Sequence, residues 1–269
     1  MKKKKIELFE GTAMYYSKYR PQYPEQIYND LIKMFALNKG SYILDLGCGP
    51  GIISIPLAMK HLPMYAVDPD IDMLIEGLKN QKIKHVHGIG WYLGNDKIID
   101  QLCLPPLTMC IMGASFHWTN REKLVNKLNK MIIPNGAIII ISSSGAESCE
   151  EGENWNMVTK KIIQKFLGPK RRAGEGTYEH PEKRHQQILR ASVFNNVVIK
   201  NYKKHETRSV DDLVGLVLSK SYSSPAQLGD QLPAFVKELS DKLYKLQPSG
   251  GFGSEEKYEV IIATRNIKP

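Results

Sequence analysis

Residues 43–58, ILDLGCGPGIISIPLA, constrain this chain more than any other stretch. A short apolar run leads into a tight glycine loop and then into apolar residues at helical spacing, which predicts strand, turn and helix in that order. Gly47, Gly49 and Gly51 stand two apart. Glycines so placed let the main chain take positive φ and keep Cβ atoms away from whatever lies on the loop. A dinucleotide-binding turn spaces its glycines G-x-G-x-x-G and needs a small third residue. Here the third glycine comes one residue early, and Ile52 fills that place. The next apolar run, residues 64–67, ends at Asp68, the offset expected of an acid that holds a ribose. The pattern fits a nucleoside without a pyrophosphate. An α/β domain with a glycine-rich turn and no ligand is the competing reading.

Asp45, two residues before Gly47, completes D-x-G-x-G-x-G. With Asp68 closing the second strand, the stretch resembles the class I S-adenosylmethionine-dependent methyltransferases. The resemblance implies an α/β, Rossmann-like fold: a mixed seven-stranded sheet with helices on both faces, an N-terminal helical lid and a helical insert before the last strand. It implies S-adenosyl-L-methionine as cofactor and S-adenosyl-L-homocysteine as product. Asp45, Gly47, Cys48, Gly49 and Gly51 would then surround the cofactor. Asp68 would accept both ribose hydroxyls through its two oxygens, with Asp70 rather than Asp68 as cap of the next helix. Pro69 and Met73 would flank the adenine. Relatives follow the third strand, expected here at 83–87, with Gly-Asp-Ala-Glu, whose aspartate approaches the adenine amine. This chain reads Gly88-Ile89-Gly90-Trp91. Adenine recognition would then rest on backbone groups near Ile89 and Gly90, with Trp91 stacking or filling the core.

Two further stretches carry a narrower resemblance. Tyr16, Arg20, Pro21, Tyr23 and Pro24 match the Y-x-x-x-R-P-x-Y-P segment of the trans-aconitate methyltransferase-like branch. By that likeness Tyr16 and Arg20 approach the methionine carboxylate, a task suited to a planar guanidinium. An aromatic surface cluster with Arg20 in an ordinary ion pair is the alternative. Ser115-Phe116-His117-Trp118 resembles the F-H-W segment of the same branch and follows the expected fourth strand, 107–112. Open α/β sheets bind ligands at such strand ends, which brings Gly113 and Ser115 into the site. His117 is the candidate general base, because imidazole takes a proton near neutrality, and Tyr16 and Tyr19 are candidate positioning groups. A structural histidine is the alternative.

Methyl transfer from a sulfonium needs the acceptor aligned and desolvated. A hydroxyl or carbon acid also needs a base, whereas an amine or carboxylate does not. The branch implies a nitrogen or oxygen of a small molecule as acceptor. A closer similarity, to enzymes that methylate the terminal amine of azole-rich ribosomal peptides such as plantazolicin, is carried by no motif and rests on the expected cap and a Lys-rich composition. Glu150, Glu151 and Glu153 would face a cationic acceptor or form a solvated loop. Tyr178 and His180 lie in a polar loop that could border its pocket. An RNA methyltransferase and a non-catalytic protein that binds S-adenosylmethionine are the competing functions.

The formal net charge of +9 is concentrated at Lys2–Lys5 and at Lys160, Lys161, Lys165, Lys170, Arg171 and Arg172. Neither patch is interleaved with aromatic residues that stack on bases, so a solvated tail and helix face are the default. Cys48, Cys103, Cys110 and Cys149 lack the spacing of a zinc site or a disulfide framework, and no metal constellation is visible. No run reaches the length of a membrane span and no signal-peptide core follows the first lysines. The expectation is a cytoplasmic protein whose partner is a small molecule or a short modified peptide rather than nucleic acid or a membrane, with its oligomeric state left open. The expected boundaries are a lid over 1–40, a cofactor-binding domain over 41–205 and 251–269, and an insert over 206–250. Buried β-branched residues predict a fifth strand over 137–142 after a turn at Asn135-Gly136, and further strands over 197–202 and 259–264.

Overall fold

The computed structural model describes residues 9–150, 152–169, 172–173, 176–177 and 183–266. Lys2–Lys5, Glu151, Lys170, Arg171, the side chain of Arg172, Tyr178 and His180 lie outside them. In chain order the elements are α1 (Ala13–Tyr19), α2 (Glu25–Met34), β1 (Ile43–Leu46), α3 (Ser54–Met59), β2 (Met64–Asp68), α4 (Ile71–Ile83), β3 (Ile89–Leu93) and β4 (Leu107–Gly113). There follow α5 (Arg121–Met131), β5 (Ile132–Ser143), β6 (Glu147–Ser148), α6 (Trp155–Leu167), β7 (Arg172–Ala173), β8 (Gly176–Thr177) and α7 (His185–Arg190). The chain ends with β9 (Asn196–Arg208), α8 (Val210–Leu218), α9 (Pro225–Leu228), α10 (Leu232–Leu246) and β10 (Phe252–Thr264).

The chain divides into two compact units, one of residues 22–143, 181–203 and 257–269, the other of 1–21, 144–180 and 204–256. The first is the sheet unit. Its strands run in the order β3-β2-β1-β4-β5-β10, with β9 beside β10; the pairs from β3 to β5 are parallel, and β10 is antiparallel to β5. Side chains alternate across a strand, so β5 feeds both faces. Ala137, Ile139 and Ile141 join Ile27 and Leu31 of α2 and Leu57 of α3 in one core. Ile138 and Ile140 join Leu124 and Leu128 of α5 and Leu189 of α7 in the other. Both faces are therefore covered, as a parallel sheet requires.

The second unit is mainly helical. Trp155, Val158 and Ile162 of α6 pack with Leu213 and Leu216 of α8 and Phe235, Leu239 and Leu243 of α10. Local caps set where its helices begin. Asn154 caps α6, and Ser209 and Asp212 form the expected capping box at α8. The division differs from the expected lid boundary at residue 40. Only the chain before Gln22 groups with the helical unit, because α2 buries Ile27, Tyr28 and Leu31 against the sheet.

Several boundaries also differ. The third strand begins at Ile89, not Ile83, because α4 continues to Ile83 and the chain turns through left-handed His85 (φ 51°) and Gly88 (φ 83°). Asn135 and Gly136 lie inside β5, where the pairing with β4 shifts register between Leu107 and Met109, rather than in a separate turn. Among the described residues the sheet has eight strands rather than seven, counting β6 and β9. Among the described residues no helix is long and apolar enough to cross a membrane, and no cluster of His, Cys, Asp or Glu could hold a metal ion.

Candidate functional site

The strand order places β1 between β2 and β4, with the connections leaving in opposite directions, so ligand space opens beyond the carboxyl ends of these strands. The glycine loop starts there. Gly47, Gly49 and Gly51 all take positive φ, at 73°, 52° and 82°. A Cβ on Gly47 would stand 2.4 Å from that of Ser115, and one on Gly51 would stand 2.7 Å from the Trp91 ring. At both positions glycine is therefore required by conformation and by space together. The amides of Gly47 and Cys48 donate to the Val67 carbonyl at 2.7 and 3.1 Å, which fastens the loop to the end of β2.

Asp68 completes that fastening. Its Oδ2 accepts from the Gly49 amide at 2.8 Å and its Oδ1 from the Asp70 amide at 2.9 Å. Each oxygen keeps a second lone pair, so the carboxylate can still accept from two hydroxyls. Burial pushes its pKa up to about 6, against the lowering effect of the two amides. As expected, Asp70 caps α4, accepting from the Asp72 and Met73 amides.

Asp45 lies on β1 and is 1% exposed. Its Oδ2 accepts from the Ser54 hydroxyl at 2.6 Å, while its buried Oδ1 has no partner among the described residues. Burial lifts its pKa to about 7, with Ser54 opposing and the Asp68 charge adding to the rise. A buried acceptor left unsatisfied is costly unless something completes it. Cys48 is buried beside Ala66 and Leu74, and burial holds its thiol well above its ordinary pKa, so it is a packing residue.

Across the switch point, Ser115 donates to the Leu46 carbonyl at 2.5 Å and so joins the ends of β1 and β4. Ala114 before it takes φ 53°, a strained conformation for a residue with a Cβ. A Cβ on Gly113 would stand 2.6 Å from both the Tyr23 hydroxyl and Ile53. Tyr23 thus reaches the end of β4; it belongs to the tyrosine-rich segment, but the sequence did not single it out as a site residue. His117 lies in a single helical turn, Phe116–Trp118, with its ring 4.6 Å from that of Trp118 and 6.4 Å from that of His185. His185 Nδ1 is 3.4 Å from an Arg121 guanidinium nitrogen, and burial, then the Arg121 charge, lowers its pKa. A guanidinium only donates, so Nδ1 accepts and the His185 proton sits on Nε2.

The adenine-side expectations need correction. Ile89 and Gly90 pair with Met64 and Tyr65 at the amino ends of their strands, away from the ligand edge. Leu93 is the residue opposite Asp68, and the Gly94 amide donates to the Asp68 carbonyl at 3.0 Å. Asn95 and Asp96 follow, so the acid nearest this edge is Asp96, three residues beyond the end of β3 at Leu93, whose carboxylate accepts from the Asn120 amide at 3.1 Å. Met73 is buried at 3% exposure, whereas Pro69 is exposed, as are the apolar Ile71 and Leu93 on either side of Asp68. Trp91 fills the core: its ring would strike a Cβ on Gly51 or Gly77, and its Nε1 donates to Gln81 at 2.6 Å. The signal for the true register was the glycine at 94 closing the run 89–93.

Tyr16, Tyr19 and Arg20 belong to the helical unit and are described within it. The Arg20 guanidinium lies 4.7 Å from the Tyr16 ring centroid and donates to the Ser219 carbonyl at 3.3 Å. Its buried Nε has no partner among the described residues. Tyr19 stacks on Tyr15 at 6.2 Å and packs on α8 so closely that a Cβ on Gly215 would lie 2.2 Å from its ring. Glu150 is bonded to Ser148 and Glu153 to Lys161.

No protein-family model matches the chain. Over 138 residues it is 30% identical to an uncharacterised methyltransferase of Schizosaccharomyces pombe, covering 49% of this chain and 51% of that protein. Over 118 residues it is 29% identical to the ubiquinone biosynthesis O-methyltransferase of Rickettsia prowazekii, covering 42% and 41%. The chain thus spans about half the length of the curated relatives it matches, or less. A solved structure from Anaeromyxobacter dehalogenans, described as a type II methyltransferase, superposes with a TM-score of 0.60 over 92% of this chain and 98% of that one, at 16% identity. The fold is that of the Rossmann-like methyltransferases.

Proposed function

We propose that this chain is an S-adenosyl-L-methionine-dependent methyltransferase acting on a nitrogen or oxygen of a small molecule. The observation that carries the reading is the glycine loop clamped by Asp68, with the unsatisfied Asp45 Oδ1 on the strand that feeds it. The residues present fit that cofactor: two buried carboxylates with acceptor capacity left, and a loop whose Cβ positions must stay empty. The partial likeness to the two curated methyltransferases agrees with it.

S-adenosylmethionine supplies an electrophilic methyl group on a sulfonium. In this reading Asp68 accepts the ribose hydroxyls, and its negative charge is held by the Gly49 and Asp70 amides. Asp45 Oδ1 accepts from the ammonium of the methionine end, which also favours its ionised form. Ile71 and Leu93, with Pro69, cover the adenine faces, and Asp96 takes the place of the acid at its amine. Tyr16 and Arg20 receive the methionine carboxylate, supported by the unpartnered Arg20 Nε. His117 takes the acceptor proton where the acceptor is a hydroxyl, and neutral His185 keeps the neighbouring ring from adding positive charge. A short modified peptide with a free amine, of the plantazolicin type, is the finer acceptor proposal, and the cytoplasm the proposed compartment.

Calorimetric titration with S-adenosylmethionine and with NAD, followed by mass spectrometry of candidate acceptors, tests the reading. Binding of the first alone and a gain of one methyl mass support it; binding of neither overturns it. His117→Ala is expected to lower turnover on a hydroxyl acceptor about a hundredfold with cofactor affinity unchanged. An unchanged pH profile in that variant would return His117 to a structural role.

A further inference from the structure

The helical unit contains a pocket of about 390 Å³ whose chemistry the proposed methyl transfer does not use. That volume falls within the range of small-molecule sites, roughly 300 to 1,000 Å³. One face of α6 supplies Thr159, Lys160, Ile163 and Leu167, at the three- and four-residue spacings that put side chains in a row. The turn after α8 supplies Lys220 and Tyr222. This turn is held by buried serines: Ser219 donates to the Leu216 carbonyl at 2.7 Å and Ser223 to that of Val217 at 2.6 Å. Lys220 and Tyr222 therefore project from fixed backbone, with the ammonium 5.8 Å from the ring centroid.

The charges differ from those on the rest of α6. Lys161 pairs with Glu153 at 2.9 Å and Lys165 with Glu238 at 2.6 Å. Lys160 and Lys220 have no carboxylate partner among the described residues, and no described Asp or Glu lines the pocket. Two uncompensated ammonium groups, an apolar floor of Ile163 and Leu167 and one aromatic face make a site for negative charge attached to a greasy body. We propose that this pocket binds a small organic anion with an apolar body, either a carboxylate or a phosphate monoester. The inference goes beyond the methyl-transfer reading and does not depend on it.

The full chain, without S-adenosylmethionine, would be titrated by fluorescence with naphthoate, naphthyl phosphate and neutral naphthalenemethanol. At least one anion should bind about tenfold tighter than the alcohol. The preferred anion identifies which acid group the pocket takes. In the double variant Lys160→Gln, Lys220→Gln the advantage of the anion should disappear while the alcohol binds as before. Lys160 is exposed and Lys220 half-buried, and neither belongs to the core, so circular dichroism should show an unchanged melt. Equal affinity for all three ligands, no binding by any of them, or an anion preference that survives in the double variant would overturn the proposal. Asp68→Asn separates the two readings: the anion should bind this variant as it binds the natural chain, whatever becomes of cofactor affinity.

Discussion

In the sheet unit the charges that matter, Asp45 and Asp68, are buried and accept from the Ser54 hydroxyl and from the Gly49 and Asp70 amides respectively, and their pKa values rise to about 7 and 6. In the helical unit Lys160 is exposed and Lys220 half-buried, and no carboxylate among the described residues answers them. The first arrangement is written into the main chain: move the glycine loop and Asp68 loses one of its two amide partners. The second sits on α6 and the turn after α8, on lysines that lie outside the core holding Phe235 and Leu239. A site of the first kind recognises one ligand rigidly, whereas a site of the second kind can be retuned by single substitutions.

The largest expected effect breaks the helical side alone. Phe235→Ala removes a fully buried ring from the core of α6, α8 and α10 and should cost about 3 to 5 kcal/mol in denaturant-induced unfolding. If the sheet edge is self-sufficient, S-adenosylmethionine affinity measured below the unfolding transition stays the same; a matching fall in affinity would mean that the two regions are not independent. Asp68→Asn comes next, with cofactor affinity expected to fall about a hundredfold because one amide N–H then faces an NH2 group. Calorimetry gives the value, and an unchanged affinity would remove Asp68 from the ribose.

A smaller effect comes from Gly47→Ala, which places a Cβ against Ser115 at φ 73° and should destabilise the chain by about 2 kcal/mol, read by thermal melting. The smallest is a pH trend. Asp45 and Asp68 bind protons more tightly when folded than their ordinary carboxyl pKa of 3.8 allows. The folded state therefore holds more protons than the unfolded one between about pH 4 and 7, and stability should decline as pH rises through that window. Asp45→Asn should flatten the upper part of the decline; a slope identical to that of the natural chain would show that Asp45 titrates normally.

The sequence carried the glycine loop and Asp68 because both depend on local backbone requirements that residue type alone reports. Its account of β3 failed for a physical reason. The apolar spacing of α4 gives no stop before Ile83, and the turn that ends it uses His85 rather than only a glycine, so the strand register slipped by several residues and carried Ile89 and Gly90 to the wrong end. The role of Trp91 could not be read either, since the space between Gly51 and Gly77 exists only once helix and loop are packed. Tyr19 shows the same limit: the sequence makes it a candidate positioning group, and its close packing on Gly215, distant in sequence, is visible only once α8 is in place.

Trp91 also gives the protein an optical reporter. Its indole is wedged against the glycine loop and hydrogen-bonded to Gln81, Trp155 is sealed in the helical unit and Trp118 is 42% exposed. Three emitters in three environments respond separately to quencher, so replacing Trp118 and Trp155 with Phe would leave a single fluorophore whose emission follows the glycine loop in real time.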